Sequence, residues 1–374
     1  MSALQSLLTE AGNKKKIVKL SQTTEISRER VHQLSEGAEP NLEELRILSD
    51  FFRIDLRDLL PPHPRHLALK LLFRSGGKVV DDVTSLALSR RIGYSMELLG
   101  GRKYPRPWWL QEFRRDSQKY GDAEANAEVF RKVFFGNDQV SPLFSLPDLA
   151  PEALGILVFI VRTNRFEGAS AYIEDLPFIF LAESFPPRML FTLAHEIGHL
   201  TAHHDPDKWS AIIDVQTETR PSATKNQAEF YAHAFASCLL MPREGIAITL
   251  RKIREMQQKA NKELGDLELL LLSRIYGVSF YAAAKRCEDL GLLPTGGAAS
   301  LNESISKQYG SPEKRAEAAG LPPRPKSEFP TMPIPLLKAA LEKVRSGQIS
   351  VGKASSILGL SIADLLAANA PRTN

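Results

Sequence analysis

Cysteine is almost missing from this chain: 374 residues contain two, Cys238 and Cys287. They lie far apart, each within a helical apolar pattern, so buried free thiols are expected rather than a disulfide, and neither reads as a metal ligand. No run of eighteen apolar residues occurs, and the opening MSALQSLLTEAGNKKK lacks the charged-then-apolar order of a secretory signal. The expectation is a cytoplasmic protein without a membrane-spanning helix. Low-complexity tracts are also lacking, and 43% hydrophobic with 25% charged residues is ordinary for a globular chain long enough for two or three domains. Neither sign of charge dominates, with 48 Lys and Arg against 44 Asp and Glu and a formal net charge of +4. That balance permits contact with nucleic acid without requiring it, so a DNA-binding reading needs a motif.

Histidine is scarce too, eight in all, yet two of them fall in Phe191-Thr-Leu-Ala-His-Glu-Ile-Gly-His-Leu200, an HExxH pattern. Composition alone produces this pattern by accident in roughly one chain in a hundred. The surroundings favour chemistry. A strand-like run, Phe178 to Leu181, precedes the motif, and apolar residues recur at helical spacing around both histidines, where an ordinary surface helix would not place two imidazoles. On a helix, His195 and His199 project from one face a turn apart and can hold the same Zn²⁺. Glu196 points about a quarter-turn away, which suits a carboxylate that takes a proton from a water on the metal without ligating the metal.

A catalytic zinc keeps three protein ligands, so one more is needed. The HExxHxxGxxH solution is absent, because Leu200-Thr-Ala-His-His204 follows without the glycine turn. A glutamate on a later helix is the other familiar solution. Asn226 to Met241 reads as strongly helical, with Glu229 on a face shared with Ala232, Ala236 and Leu239; the alanines would let this helix approach the motif helix closely. A carboxylate on so apolar a face wants a partner. His233, Asp205 and Asp207 are the rival ligands. His203, one turn beyond His199, is a candidate either for stabilising the developing oxyanion or for a plain hydrogen bond to a carbonyl.

Along the chain, residues 1–60 read as five short helices, with Ser27 and Asn41 as N-caps and Gly37 as a stop, and suggest a helix-turn-helix domain. Residues 65–135 look helical, with Trp108 and Trp109 as core. Ile156 to Val161, Gly168 to Ile173 and Pro177 to Leu181 read as strands of a small sheet, and Pro177 to Leu181 is the expected edge along which an extended substrate would lie. Residues 294–333, rich in Gly, Pro and Ser, read as a linker of low order. GQISVGKASSILGLSIADLLAA then reads as a C-terminal helical hairpin, packed on the rest of the chain or on a second subunit of a homodimer.

Two resemblances add to this. ISRERVHQLSEGAEPNLEELRILSDFFRIDLRDLL resembles the second half of an XRE/Cro-type DNA-binding domain, which implies duplex DNA as a partner and Ser27, Arg28, Glu29, Arg30 and Gln33 as recognition residues. Glu25 stands where that family usually has glycine, and residues 1–75 carry twelve Lys and Arg against ten Asp and Glu, a weak charge for binding phosphate. RMLFTLAHEIGHLTAHH, AEFYAHAFASCLLMP and YGVSFYAAAKRCEDLGLL together resemble the ImmA/IrrE-type metallopeptidases over roughly residues 150–293. That resemblance implies Zn²⁺ on His195, His199 and Glu229, Glu196 as catalytic base, and His233 as a hydrogen-bonding support of a ligand. It also implies a peptidase that cleaves a repressor or antitoxin protein within a transcriptional or stress-response switch. The alternative is a DNA-binding transcription regulator or antitoxin whose metal site is structural or sensory; the intact Glu196 argues against it.

The expected fold class is therefore α+β and mostly helical. Its parts would be a helix-turn-helix bundle (1–62), a helical connecting region (63–149), a zincin-like peptidase domain with a small sheet and the HExxH helix (150–293), a linker (294–333) and a C-terminal helical tail (334–374).

Overall fold

The computed structural model describes residues 3–9, 14–54, 56–59, 82–100, 106–113, 119–214, 227–256, 263–325, 327–330 and 332–369. It is mostly helical, with a four-stranded mixed sheet, an α+β architecture.

Four helices come first: α1 (Ala3–Thr9), α2 (Lys14–Thr23), α3 (Arg28–Glu36) and α4 (Leu42–Phe52), with a short 3₁₀ turn at Leu56–Leu59. The expected caps hold them. Ser27 Oγ accepts from Arg30 N, Gly37 ends α3 at φ 111°, and Asn41 and Glu44 form a reciprocal capping box. The inward residues, among them Leu7, Leu20, Val31, Leu34, Leu48 and Phe52, make a core of their own. Helix α5 (Asp82–Leu99) leaves that core with Val83 and Leu86 and enters a second one with Leu88, Ile92 and Leu98.

Between α5 and the sheet run α6 (Tyr120–Phe134) and α7 (Leu146–Glu152). Of the tryptophan pair only Trp109 is core, 1% exposed with its indole N–H on Leu154 O at 3.0 Å. Trp108 is 58% exposed, against expectation.

The sheet comprises β1 (Leu157–Val161), β2 (Gly168–Ile173), β3 (Leu176–Ala182) and β4 (Ser210–Asp214), in the order β1-β3-β2-β4. The β1-β3 pairing is parallel and the other two are antiparallel. β2 and β3 are buried at every position, because both faces of the sheet are covered. One face packs into the largest core through Val158, Tyr172, Ile179 and Leu181; Ala169, Ala171, Ile173, Phe178 and Phe180 point to the other. Glu174 and Asp175, at φ 51° and 63°, form the two-residue turn joining β2 to β3. A turn with both central residues left-handed matches the twist of a hairpin.

This topology corrects the edge assignment. Pro177 to Leu181 lies inside the sheet, hydrogen-bonded on both sides, while among the described residues an edge is formed by β4, which sequence periodicity did not reveal in five residues.

The remaining helices are α8 (Pro186–Ala202), α9 (Gln227–Leu240), α10 (Arg243–Met256), α11 (Asp266–Ile275), α12 (Phe280–Asp289), α13 (Gly297–Tyr309), α14 (Pro312–Ala318), α15 (Ile334–Arg345), α16 (Val351–Leu358) and α17 (Ile362–Asn369). No single described helix is long and apolar enough to cross a membrane.

Two further expectations need correction. The stretch 294–333 carries α13 and α14, whose Ala298, Ile305 and Ala316 belong to the largest core. The glycine, serine and proline that suggested a linker are helix punctuation instead: Gly296 takes φ 81° ahead of α13, and Ser311 caps α14 with Pro312 at its first position. The C-terminal segment is three helices rather than a two-helix hairpin, and Leu336, Ala340, Ala354, Leu358 and Leu365 seat it in the core that covers the sheet face opposite α8.

Candidate metal centre

Helix α8 starts where Pro186 and Pro187 occupy its first positions, their missing N–H groups being among those a helix leaves unpaired. From Met189 to Ala202 only Phe191 is not fully buried. Both histidines therefore sit inside, between the sheet and α9. Gly198 permits this approach: a Cβ there would lie 3.2 Å from Ala232 Cα and 3.1 Å from Phe235 Cδ1 of α9. The small residues at the helix crossing, legible in α9, are matched by a glycine within the motif itself.

The crossing brings Glu229 to the histidines. His195 Nε2 and His199 Nε2 are 3.0 Å apart, and Glu229 Oε2 lies 3.3 Å from the first and 3.7 Å from the second. Three donors in tetrahedral positions around one zinc-type ion, each about 2.1 Å from it, stand roughly 3.4 Å from one another. The triangle fits a single divalent ion in size and in donor chemistry. Asp205 and Asp207, the rival carboxylates, are elsewhere: Asp205 pairs with Lys208 at 3.0 Å and Asp207 with Arg106 at 2.8 Å. His233 lies with its ring 4.9 Å from Phe191 and 6.5 Å from His195.

Glu196 is 0% exposed, and neither of its oxygens makes a well-formed hydrogen bond, although the nearby Ser170 hydroxyl helps to hold its pKa down. Its space exists because β2 offers Gly168, where a Cβ would collide with Glu196 Oε1 and Thr192 Cγ2. Burial pushes the carboxyl up to about 8, His195 pulls it down, and the charge of Asp214 adds to the rise. Burial opposes charge on His195, but Glu229, Asp214 and Glu196 outweigh it and hold that imidazole at about 9. A fully buried carboxylate without a well-formed hydrogen bond, beside two imidazoles, costs stability. Packing gives no reason for it.

His203 is the residue that ends α8, and its Nδ1 shares a 2.9 Å hydrogen bond with Nδ1 of His199, on the side of that ring away from Nε2. It can orient His199, and its own Nε2 is buried without a hydrogen-bond partner.

Sequence reading missed Asp214 and His204. Asp214, at the end of β4, has Oδ2 3.8 Å from His195 Nε2. Buried His204 bridges the strands, with Nδ1 2.7 Å from Ser210 Oγ and Nε2 3.1 Å from Ser170 Oγ. The second histidine of the pair was visible, but its partners lie on β2 and on the unread β4.

The residues expected at a DNA interface have partners within the first helices. Ser27 caps α3. Arg30 donates to Glu44 Oε1 at 2.6 Å and Oε2 at 3.0 Å, to Glu39 O at 2.9 Å and to Gln33 Oε1 at 3.3 Å. Arg28 Nε reaches Ser21 Oγ at 3.4 Å. These contacts tie Ser27 and Arg30 into the first helices.

Residues 151–288 match the family model Peptidase_M78, described as the IrrE N-terminal-like domain. That match supports an ImmA/IrrE-type peptidase. The matched span runs from the end of α7 into α12 and includes the whole donor triangle and Glu196. No curated protein matches the chain. The family implies a metallopeptidase-type function and a protein substrate.

Proposed function

We propose that the chain is a zinc-dependent endopeptidase with His195, His199 and Glu229 as metal ligands and Glu196 as general base. One observation carries the reading: a buried carboxylate without a well-formed hydrogen bond stands next to three donors spaced for one ion. Zinc, when bound, supplies Lewis-acid polarisation of the scissile carbonyl and of a water. Glu196 takes the proton from that water as it attacks the carbonyl carbon, holds it in the buried site, and delivers it to the leaving nitrogen as the C–N bond breaks. Burial favours the protonated form, which suits a group that must keep a proton between the two transfers. His203 holds the tautomer of His199 through Nδ1.

The substrate is read as an extended segment laid along β4. Asp214 O accepts from Glu167 N at 3.0 Å on the β2 side, so alternation turns the N–H and C=O groups of Ala211 and Ile213 to the outer side. Main-chain bonds there would hold a peptide of any sequence in register. A repressor or antitoxin with an accessible extended segment is the substrate class that the family resemblance favours, within a transcriptional or stress-response switch. In that setting α2, its four-residue turn and Ser27-capped α3 serve as a helix-turn-helix recruiting element. With Arg30 tied to Glu44, contact with duplex DNA would rest on Arg28 and on the Lys14 to Lys16 stretch, whose side chains lie outside those described.

The decisive experiment is Glu196→Gln. The variant should keep its metal and fold while losing peptide hydrolysis by a factor of about a hundred or more. A fully active variant with its zinc retained would sink the peptidase reading and leave a structural or sensory metal. For the recruiting element, the full chain should bind duplex DNA with an affinity that falls as salt rises; no binding at low salt would reassign α1 to α4 to protein contact.

A further inference from the structure

Strand β4 brings one more carboxylate to the metal-facing side of the sheet than hydrolysis needs. Asp214 pairs in register with Gly168, the residue whose missing side chain makes room for Glu196. Its carboxylate lies within 4.8 Å of donor atoms of both His195 and Glu196, but the cluster that it forms with them does not extend to His199 or Glu229. Asp214 is thus adjacent to the donor triangle without being a fourth member of it. Its side chain keeps 20% exposure, whereas Glu196 behind it is sealed and makes no well-formed hydrogen bond through either oxygen. Solvent, and therefore a ligand, reaches this corner of the site through Asp214.

Strand addition decides what would meet it. A peptide paired to the outer edge of β4 places the residue opposite Asp214 on the same face of the sheet, with the two Cβ atoms roughly 5 Å apart. A lysine or arginine in that position would reach the Asp214 carboxylate. A glutamate would face that carboxylate, and like charges directly opposed across strands are disfavoured. Exposed Trp209 immediately precedes β4 and offers an apolar surface at its other end.

The geometry points to Asp214 as a specificity-determining carboxylate that selects a cationic side chain, lysine or arginine, beside the scissile bond of an extended peptide. This assignment rests on the endopeptidase reading and on β4 as the edge that carries substrate.

The test uses the full zinc-loaded chain and a set of internally quenched peptides that share one extended sequence and differ by Lys, Ala or Glu at each position in turn. Wild type should cleave the lysine peptide about tenfold faster in kcat/KM than the glutamate peptide at one position flanking the cut. Asp214→Asn should flatten that preference, and Asp214→Lys should invert it. The same peptides, bound to the Glu196→Gln chain and followed by fluorescence anisotropy, should rank in the same order.

Equal cleavage of lysine and glutamate peptides by wild type, or a lysine preference that survives Asp214→Asn, overturns the assignment and leaves the peptidase reading standing. Loss of zinc from Asp214→Asn also overturns it, by making Asp214 a ligand. Lysine-selective binding that depends on Asp214, without cleavage of any peptide by wild type, upholds the subsite and removes the peptidase. Neither binding nor cleavage overturns both. Wild-type selectivity is read first, so the assignment can fail even if a variant does not fold.

Discussion

Helices α3 and α8 both carry polar residues, and their surroundings treat them in opposite ways. On α3, Ser27, Arg30 and Gln33 bond to one another's backbone and side chains and to Glu44, and the polar groups hold the turn and the two helices together. On α8, Glu196 is buried without a well-formed hydrogen bond, and His195 and His199 face each other nitrogen to nitrogen. A polar residue that the fold uses is explained by the fold. One that the fold tolerates at a cost calls for a ligand or a reaction to explain it.

The contrast can be broken most directly at the metal. Glu229→Ala should drop zinc from about one per chain to near none by elemental analysis, while His233→Ala, outside the donor triangle, should weaken binding less, on the order of tenfold. Equal loss from both would return the third ligand to the rivals. Acidity is the next lever. His195 is held near 9 without metal, so a proton competes for its Nε2 throughout the neutral range, and zinc affinity should fall about tenfold for each unit that pH drops below that value. Titration with a chromophoric chelator at pH 6, 7 and 8 reads this slope directly, and a flat profile would mean that His195 is not displaced from its proton on binding.

How much of this was readable beforehand differs between the two helices for the same physical reason. The caps at Ser27, Gly37 and Asn41 and the histidine pair on α8 are encoded in residues three or four apart, so local spacing sufficed. Glu229, thirty residues from His199, was suggested by its place on an apolar, alanine-rich helix face and by the family resemblance, with no local spacing to the histidines. β4, Asp214 and the His204 bridge depend on a five-residue strand whose alternation is too short to stand out, and on register across the sheet, which no local pattern carries. The misread linker shows the converse. Gly296, Ser311 and Pro312 are as common at helix ends as in loose segments, and burial of Ala298, Ile305 and Ala316 decides between the two.

Stability measurements sharpen the comparison at a smaller scale. Burial raises the Glu196 pKa from an ordinary carboxyl value to about 8, so ionisation destabilises the metal-free fold progressively as pH rises from about 4.5 to 8, and below that window the penalty vanishes. Metal-free Glu196→Gln should therefore be more stable than wild type by about 4 kcal/mol at pH 8 and by about 1 kcal/mol or less at pH 5, as read by denaturant unfolding. Substitution on the other helix should have the opposite sign: Ser27→Ala should destabilise by about 1 kcal/mol at either pH, the ordinary cost of a lost N-cap. A destabilised Glu196→Gln would mean that the carboxylate is part of the scaffold after all.

Helix α5 gives the two regions a shared fate. Val83 and Leu86 are anchored among the first four helices, and Leu88 and Ile92, a turn further on, are anchored beneath the sheet. A single rigid rod is thus planted in both bodies, and Arg91 Nη1 donates to Asp58 at 3.0 Å where it passes from one to the other. Pulling the front helices away would withdraw the rod from under the sheet, on the face that Ala169 and Ala171 of β2 share with it, while Gly168 and Ser170 of the same strand border Glu196 and His204. The first four helices are thus tied by α5 to one face of a strand whose other face borders the buried Glu196 carboxyl.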